Sequence, residues 1–522
     1  MILYPNHLTT SIQEHAGKTP NKAAIVEVSG RTTSFLELSQ MVERIAKNLL
    51  ACGLQKGDRV LFLLRPSSEA VAVMLGVVLA GGVIVTADIA MGAQNFASRV
   101  RHTHPRFAIV ESSLLALQIS NGLLGLTRRW GLEVPLLRDL LAEVTIFRRG
   151  TWLPGLSAQK NFRQLLKPNL TPFTTRPGED LDSQIIFTSG TTKHPTGVVH
   201  SPRSFAAIMT FTLEKLQPKK ESVFYTNQYY IAFPGLVAGC SVVLDGTIRF
   251  NPRRELARLA RFQATHYFNV PYKLTRIKEC LAHKKTRWPT SLRTLLVGSA
   301  PVTTNFLREL FSEIDSAQVT VWCVYGLTEI LPATAIEASQ KLTLSEQIRG
   351  DILGYPLGDV RVWSEEDELV LQGSNQAKRF LLGESIQTVR SGDQGYVTDE
   401  GLVVLTGRKK DMIITTHYNV YPLLFEPEIE KIPGVKQAAL VGYTNPLVHD
   451  EEVVLFLVPE TWQGENDDFK ESISRALLSA EYSIDAYALP KHIFVLKELP
   501  VRGKNLKVDK NYLRTYAQNQ LT

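Results

Sequence analysis

Residues Gln184–Thr192, QIIFTSGTT, set a short apolar run against a cluster of hydroxyls around one glycine. The run has the β-branched texture of a buried strand. The TSGTT segment offers hydroxyl donors and successive backbone N–H groups in a tight turn, a combination suited to polyphosphate oxygens. The spacing is neither GxxxxGK(S/T) nor GxGxxG, and taken alone it reads equally as a Ser/Thr-rich turn. Its neighbours decide. Similar runs recur along the chain (RVLFLL, GVIVTA, FAIVES, SVVLDG, RTLLVGS and VTVWCVYG) with helical stretches between them. That alternation predicts an α/β fold with parallel strands covered on both faces. Sheets of this kind bind ligands beyond the carboxyl ends of their strands. TSGTT, GSAPV and YGLTE, each trailing a strand, are therefore expected to converge on one crevice.

At 522 residues the chain is too long for one hydrophobic core, so several domains are expected. A mean hydropathy of −0.04 is that of a globular protein. The net charge of +7 is spread over small clusters such as TRRW, FRRG and HKKTR. It reads as a solvated surface, with an acidic partner, a phosphorylated substrate or an anionic membrane surface as the alternatives; no nucleic-acid partner is expected. Four cysteines, Cys52, Cys240, Cys280 and Cys323, show no metal or disulfide spacing, which fits a reducing compartment. The N-terminal MILYPNHLTTSIQEH has no basic stretch followed by an apolar core, so no signal peptide is expected. The run Ala70–Asp88 is broken by Gly81-Gly82 and reads as a buried helix, a turn and a core strand, not a transmembrane segment. The expectation is a cytoplasmic protein.

Three further stretches carry chemistry. In VYGLTEILP, Glu329 near a strand end can hold Mg²⁺ against phosphate oxygens, Tyr325 can stack on a base and Thr328 can donate to phosphate; the plain alternative is an exposed glutamate at a helix start. In SGDQGYVTDEGLVVLTGRKKD, Asp393 sits in a glycine-flanked turn where a carboxylate can accept from both hydroxyls of a ribose. Arg408 is a natural phosphate or ribose ligand. The segment reads as a hairpin turning at Asp399-Glu400-Gly401 and ending in a charged joint. Near the C-terminus, Lys504, Lys507 and Lys510 form a basic segment able to swing over an anionic site.

The ordered series FTSGTT, LLVGSAPV, VYGLTE, SGDQGY, GRKKDMI and NLKVDK resembles the adenylate-forming superfamily of acyl-CoA synthetases, luciferases and peptide-synthetase adenylation domains, over nearly the whole chain. The resemblance implies a large N-terminal α/β domain of packed mixed sheets with helices, residues 1–407, and a small mobile α+β C-terminal domain, residues 408–522. It implies that Thr188, Ser189, Gly190, Thr191 and Thr192 cradle pyrophosphate, and that Gly298, Ser299 and Ala300 wall the adenine from the acyl pocket. By the same token Tyr325 and Gly326 face the base, Thr328 binds phosphate, Glu329 holds Mg²⁺, Asp393 takes the ribose and Arg408 lies beside it. Lys410 falls at the hinge, and Lys507 is the catalytic lysine, with Lys504 as second candidate. Thr188, Glu329 and Lys507 are thus the expected catalytic residues, and ATP, Mg²⁺ and CoA the implied cofactors. The implied reaction is activation of a carboxylic acid, here a fatty or other apolar acid, as an acyl-adenylate. The acyl group then passes to the thiol of CoA or of an acidic acyl carrier protein.

Two departures from the family pattern stand out. Lys193-His194-Pro195-Thr196 replaces the usual Gly-x-Pro-Lys after the double threonine, exchanging a flexible glycine and shifting the loop cation. In MIITTHYNVYP, Thr416 and His417 occupy the positions of a glycine pair that lines the pantetheine tunnel in CoA ligases. With stretches similar to the olefin β-lactone synthetase branch, they keep open β-lactone closure of a β-hydroxy acid. A non-catalytic nucleotide- or acyl-binding relative is the rival from another class.

Overall fold

The computed structural model describes residues 7–87, 93–116, 137–151, 160–172, 178, 180–187, 197–247, 249–284, 287–383, 385–415, 419–445, 450–462, 464, 467–479, 481–482, 484–502 and 506–521. The expectations for Thr188–Thr192, Lys193–Thr196, Thr416, His417 and Lys504 lie outside them.

Each apolar run noted above is a strand. Arg59–Leu63, Val83–Thr86, Phe107–Glu111, Thr145–Arg149 and Gln184–Phe187 pair in parallel within an eight-stranded sheet. Gly197–His200 adds antiparallel beside Gln184–Phe187. A thirteen-stranded sheet holds Ala23–Glu27, Ser241–Leu244, Val223–Thr226, His266–Asn269, Thr294–Gly298 and Thr320–Leu327 in parallel. Antiparallel strands, beginning with Ile330–Glu337, extend one end of it.

Helices fill the space between the sheets. The helix Ser68–Leu79 buries ten of its residues, so it is apolar all round, as a helix with protein on every side must be. A Cβ on its Gly76 would stand 2.8 Å from Ile45 Cγ2, so glycine lets the helix Phe35–Ala51 lie close against it. Phe62, Ile84 and Ile109 of one sheet and Phe224, Val242 and Leu244 of the other belong to the same buried cluster. Ala70–Asp88 resolves as expected up to residue 87: helix, turn at Gly81, then the strand Val83–Thr86. Among the described residues no helix is long and apolar enough to cross a membrane.

After Arg408 the chain forms a separate group of elements, and its strands Val435–Asn445 and Asp450–Pro459 are longer than those before it, not shorter as the sequence texture suggested. Val435–Asn445, Asp450–Pro459 and His492–Val495 form a three-stranded sheet, with a core of its own around Phe425, Ile429, Leu440 and Leu455. Contacts between this C-terminal unit and the larger one include exposed ion pairs, Arg349 to Asp485 at 3.1 Å and Lys436 to Glu279 at 3.4 Å, and Arg349 over the Phe425 ring at 5.2 Å.

Candidate active site

The strands Thr294–Gly298 and Thr320–Leu327 lie side by side with Gly298 opposite Val324. A Cβ on Gly298 would fall 2.6 Å from the Val324 carbonyl oxygen, so only glycine allows that approach. The chain then turns through Ser299, exposed and in the left-handed region at φ +64, past Ala300 to Thr303. The Thr303 hydroxyl accepts from Phe306 N–H and starts the next helix. A non-glycine residue held at positive φ at a strand's carboxyl end is the backbone strain that functional loops carry.

The strand Thr320–Leu327 folds back on Ile330–Glu337 with Leu327 opposite Ile330, so Thr328 and Glu329 form a two-residue hairpin turn. This corrects the plain alternative reading of Glu329 as a helix start. Gly326 sits in the irregularity just before the turn, where a Cβ would meet Ile330 O at 2.9 Å. Burial raises the Glu329 carboxyl above its ordinary value, and among the described residues no side chain pairs with it. Those residues gather no cluster of three metal-ligating side chains either. One such half-buried carboxylate fits Mg²⁺, which binds through one or two carboxylates and otherwise keeps water and phosphate oxygens.

Asp393 and Arg408 face each other across the hairpin Val389–Val397 and Val403–Arg408, whose turn falls at Thr398–Leu402 as the sequence suggested. Asp393 is 3% exposed and both its oxygens are engaged. Tyr325 donates its hydroxyl to Oδ2 at 2.7 Å, and Arg408 Nε lies 2.9 Å from Oδ1. A carboxylate offers about four lone-pair directions, so two remain for a diol. Burial, and then the Asp393 charge, push the Tyr325 hydroxyl well above its ordinary value, which leaves it a fixed donor.

Lys507 joins this group from the C-terminal unit. Its short strand pairs with Val501–Arg502, and the preceding Leu506 takes φ +50. The Lys507 ammonium is held down to about 8, by burial first and then by Arg408 and Lys410, while Asp393 opposes. Lys410 is exposed; its carbonyl accepts from Arg514 Nη2 at 3.1 Å, and Arg514 also lies 3.6 Å from Asp411.

One site residue went unnoticed in the sequence. His200, 1% exposed, ends the strand Gly197–His200, and its Nε2 lies 2.8 Å from the Thr328 carbonyl oxygen. It brings the end of the strand Gly197–His200 to the turn carrying Glu329. Burial lowers the ring to about 4, so it is neutral near pH 7.

The description "AMP-binding enzyme" matches residues 12–374. The chain belongs to the AMP-binding enzyme family. It is 25% identical to an indoleacetate–CoA ligase of Aromatoleum aromaticum, over 94% of this chain and 95% of that one. It is 23% identical to a 2-succinylbenzoate–CoA ligase of Bacillus subtilis, over 98% of each. In fold it is similar to the amide bond synthetase McbA of Marinactinospora thermotolerans, with a TM-score of 0.81 and 21% identity over 99% of this chain and all of that one. The superfamily resemblance, the two-part α/β architecture and the expectation of an AMP-forming acid ligase all stand.

Proposed function

We propose that the protein activates an apolar carboxylic acid with ATP and Mg²⁺ as an acyl-adenylate and passes the acyl group to a thiol, of CoA or of a carrier protein. The observation that carries this reading is the group formed by Tyr325, Asp393, Arg408 and Lys507, in which a buried carboxylate is presented beside two cations.

In this scheme Asp393 accepts from the ribose hydroxyls while Tyr325 and Arg408 fix its orientation. An acid oxygen attacks the α-phosphorus, a new P–O bond forms, and the bond to pyrophosphate breaks. The Lys507 ammonium neutralises charge growing on the α-phosphate oxygens, a stabilisation that is strong where water is excluded. Glu329 would hold Mg²⁺, which when bound shields the phosphate oxygens. Positioning supplies the rest of the acceleration.

The sequence expectation was a fatty acid. The relatives widen the range, since their names specify indoleacetate, 2-succinylbenzoate and feruloyl groups, and aryl acids therefore belong beside fatty acids among the substrates to try. The cytoplasm is the proposed compartment, in keeping with four free thiols. The test is pyrophosphate release from ATP with a panel of fatty, β-hydroxy and aryl acids, with and without CoA. Release that depends on one acid class is the expected result. A folded protein that releases none with any acid refutes the proposal, and release without thiol that yields a lactone replaces the second step.

A further inference from the structure

The turn Thr328-Glu329 has no regular ladder of its own, yet Glu329 must be aimed if it is to hold a cation. Two backbone carbonyls fix the turn. The Glu329 carbonyl accepts from Ala377 N–H at 2.6 Å. The Thr328 carbonyl receives the His200 ring at 2.8 Å. A carbonyl only accepts, so Nε2 carries the hydrogen and Nδ1 is left as the acceptor. Ser204 Oγ lies 3.1 Å from Nδ1. That hydroxyl is itself placed by a reciprocal cap: Ser201 N–H donates to Ser204 Oγ and Ser204 N–H to Ser201 Oγ at the start of the helix Pro202–Leu216. Phe205 of the same helix meets the imidazole edge-on, at 5.9 Å between centroids.

His200 lies in the eight-stranded sheet, while Thr328 joins two strands of the thirteen-stranded one. The contact therefore spans the two halves of the large domain at the level of the nucleotide site. A second stitch runs beside it, since Lys378 N–H donates to the Val199 carbonyl at 2.9 Å while its neighbour Ala377 holds Glu329. The fold thus has a backbone link that does not depend on the imidazole. The imidazole adds a fixed angle.

We propose that His200 is a positioning residue for adenylation, whose Nε2–H, donated to the Thr328 carbonyl, aims the Glu329 carboxylate at the metal-bound triphosphate. The role rests on the acid-activating reading above and concerns the first half-reaction alone. His200 neither transfers a proton nor touches the acid, so its removal weakens metal–nucleotide binding and leaves the acid KM unchanged.

The test compares His200→Leu, which removes the donor, with His200→Gln, whose side-chain amide reaches a similar distance. Two readouts apply: Mn²⁺–ATP binding, followed by the manganese EPR signal without turnover, and the Mg²⁺ concentration for half-maximal pyrophosphate release. One lost hydrogen bond to the turn predicts about tenfold weaker Mn²⁺–ATP binding and an equal rise in the Mg²⁺ requirement in His200→Leu. His200→Gln recovers most of both, and thermal unfolding of the two variants matches within a few degrees. Equal losses in both variants, or a rise in acid KM parallel to the Mg²⁺ effect, overturn the positioning role. Unchanged Mn²⁺–ATP binding in His200→Leu overturns it while leaving the acid-activating reading intact. Wild-type protein that binds no Mn²⁺–ATP overturns both.

Discussion

On the proposed scheme, the lowered titration of Lys507 should make the first half-reaction sensitive to alkali in a way an exposed lysine would not. Moving the ammonium from its ordinary 10.5 to about 8 costs its charged form roughly 3 kcal/mol relative to water. Burial is the largest cause, followed by Arg408 and Lys410. In that scheme the protonated form neutralises phosphate charge, so activity should be lost as pH rises through this value. In the free enzyme kcat/KM for ATP should fall about tenfold per pH unit above about 8. A bound triphosphate favours the ammonium, so kcat should persist to higher pH than kcat/KM. Stopped-flow pyrophosphate release over about pH 6.5–10 reads both. Lys507→Ala should lower adenylation about 10²–10³-fold, in the range for losing one preorganised group facing developing charge, and abolish the alkaline limb. Lys410→Gln removes one of the repelling charges and should move that limb upward by a few tenths of a pH unit. A limb that survives in Lys507→Ala, or a wild-type profile flat to about pH 9.5, refutes the reasoning. So would an equal loss in Lys504→Ala.

Tyr325→Phe keeps the ring and deletes the hydroxyl that donates to Asp393; a hydrogen bond to a charged group is worth about 1.5–3 kcal/mol, so KM for ATP should rise about tenfold or more while the acid KM holds. Gly298→Ala forces a Cβ onto the Val324 carbonyl and should cost about 1–3 kcal/mol in urea unfolding, with the adenine wall displaced. Glu430 sits beside Asn305 and Glu309 of the large domain and Glu426 of its own helix; Lys278 pairs with Glu309 and Lys510 with Glu426. Burial first, then these carboxylates, raise Glu430 to about 8 from its ordinary 4.5. The folded state therefore holds a proton that the unfolded state releases, and stability from this contact declines as pH rises from about 4.5 to about 8. Thermal unfolding of Glu430→Gln should lose part of that pH dependence, and identical slopes for the two proteins would count against the assignment.

The large-scale fold was legible because buried parallel strands are written as unbroken β-branched runs, and RVLFLL, FAIVES and RTLLVGS each became one. The hairpin ending at Arg408 was legible from its turn residues. Tyr325, Asp393 and Arg408 could be named from local motifs, and Asp393 and Arg408 were expected side by side, yet the hydrogen bond from Tyr325 to Asp393 was not. One carboxylate shared by a tyrosine 68 positions away and an arginine on the facing strand leaves no periodic trace. His200 was harder still. Its partner is a backbone carbonyl 128 residues distant, and any residue could supply that oxygen. A histidine ending a run of buried aliphatic residues was the one local clue, since such a ring needs polar partners.

The exposed pairs Arg349–Asp485 and Lys436–Glu279 bear on the timing of catalysis. Contacts of this kind are worth between nothing and about 1 kcal/mol each and weaken as added salt shortens the Debye length from about 8 Å at physiological ionic strength. The seat of the C-terminal unit also has a buried part, with Glu430 beside Asn305 and Arg349 over the Phe425 ring at 5.2 Å, so the two exposed pairs are only its salt-sensitive fringe. On the proposed scheme, dilute salt should therefore modestly lengthen the stage in which Lys507 faces the nucleotide site, and concentrated salt should shorten it.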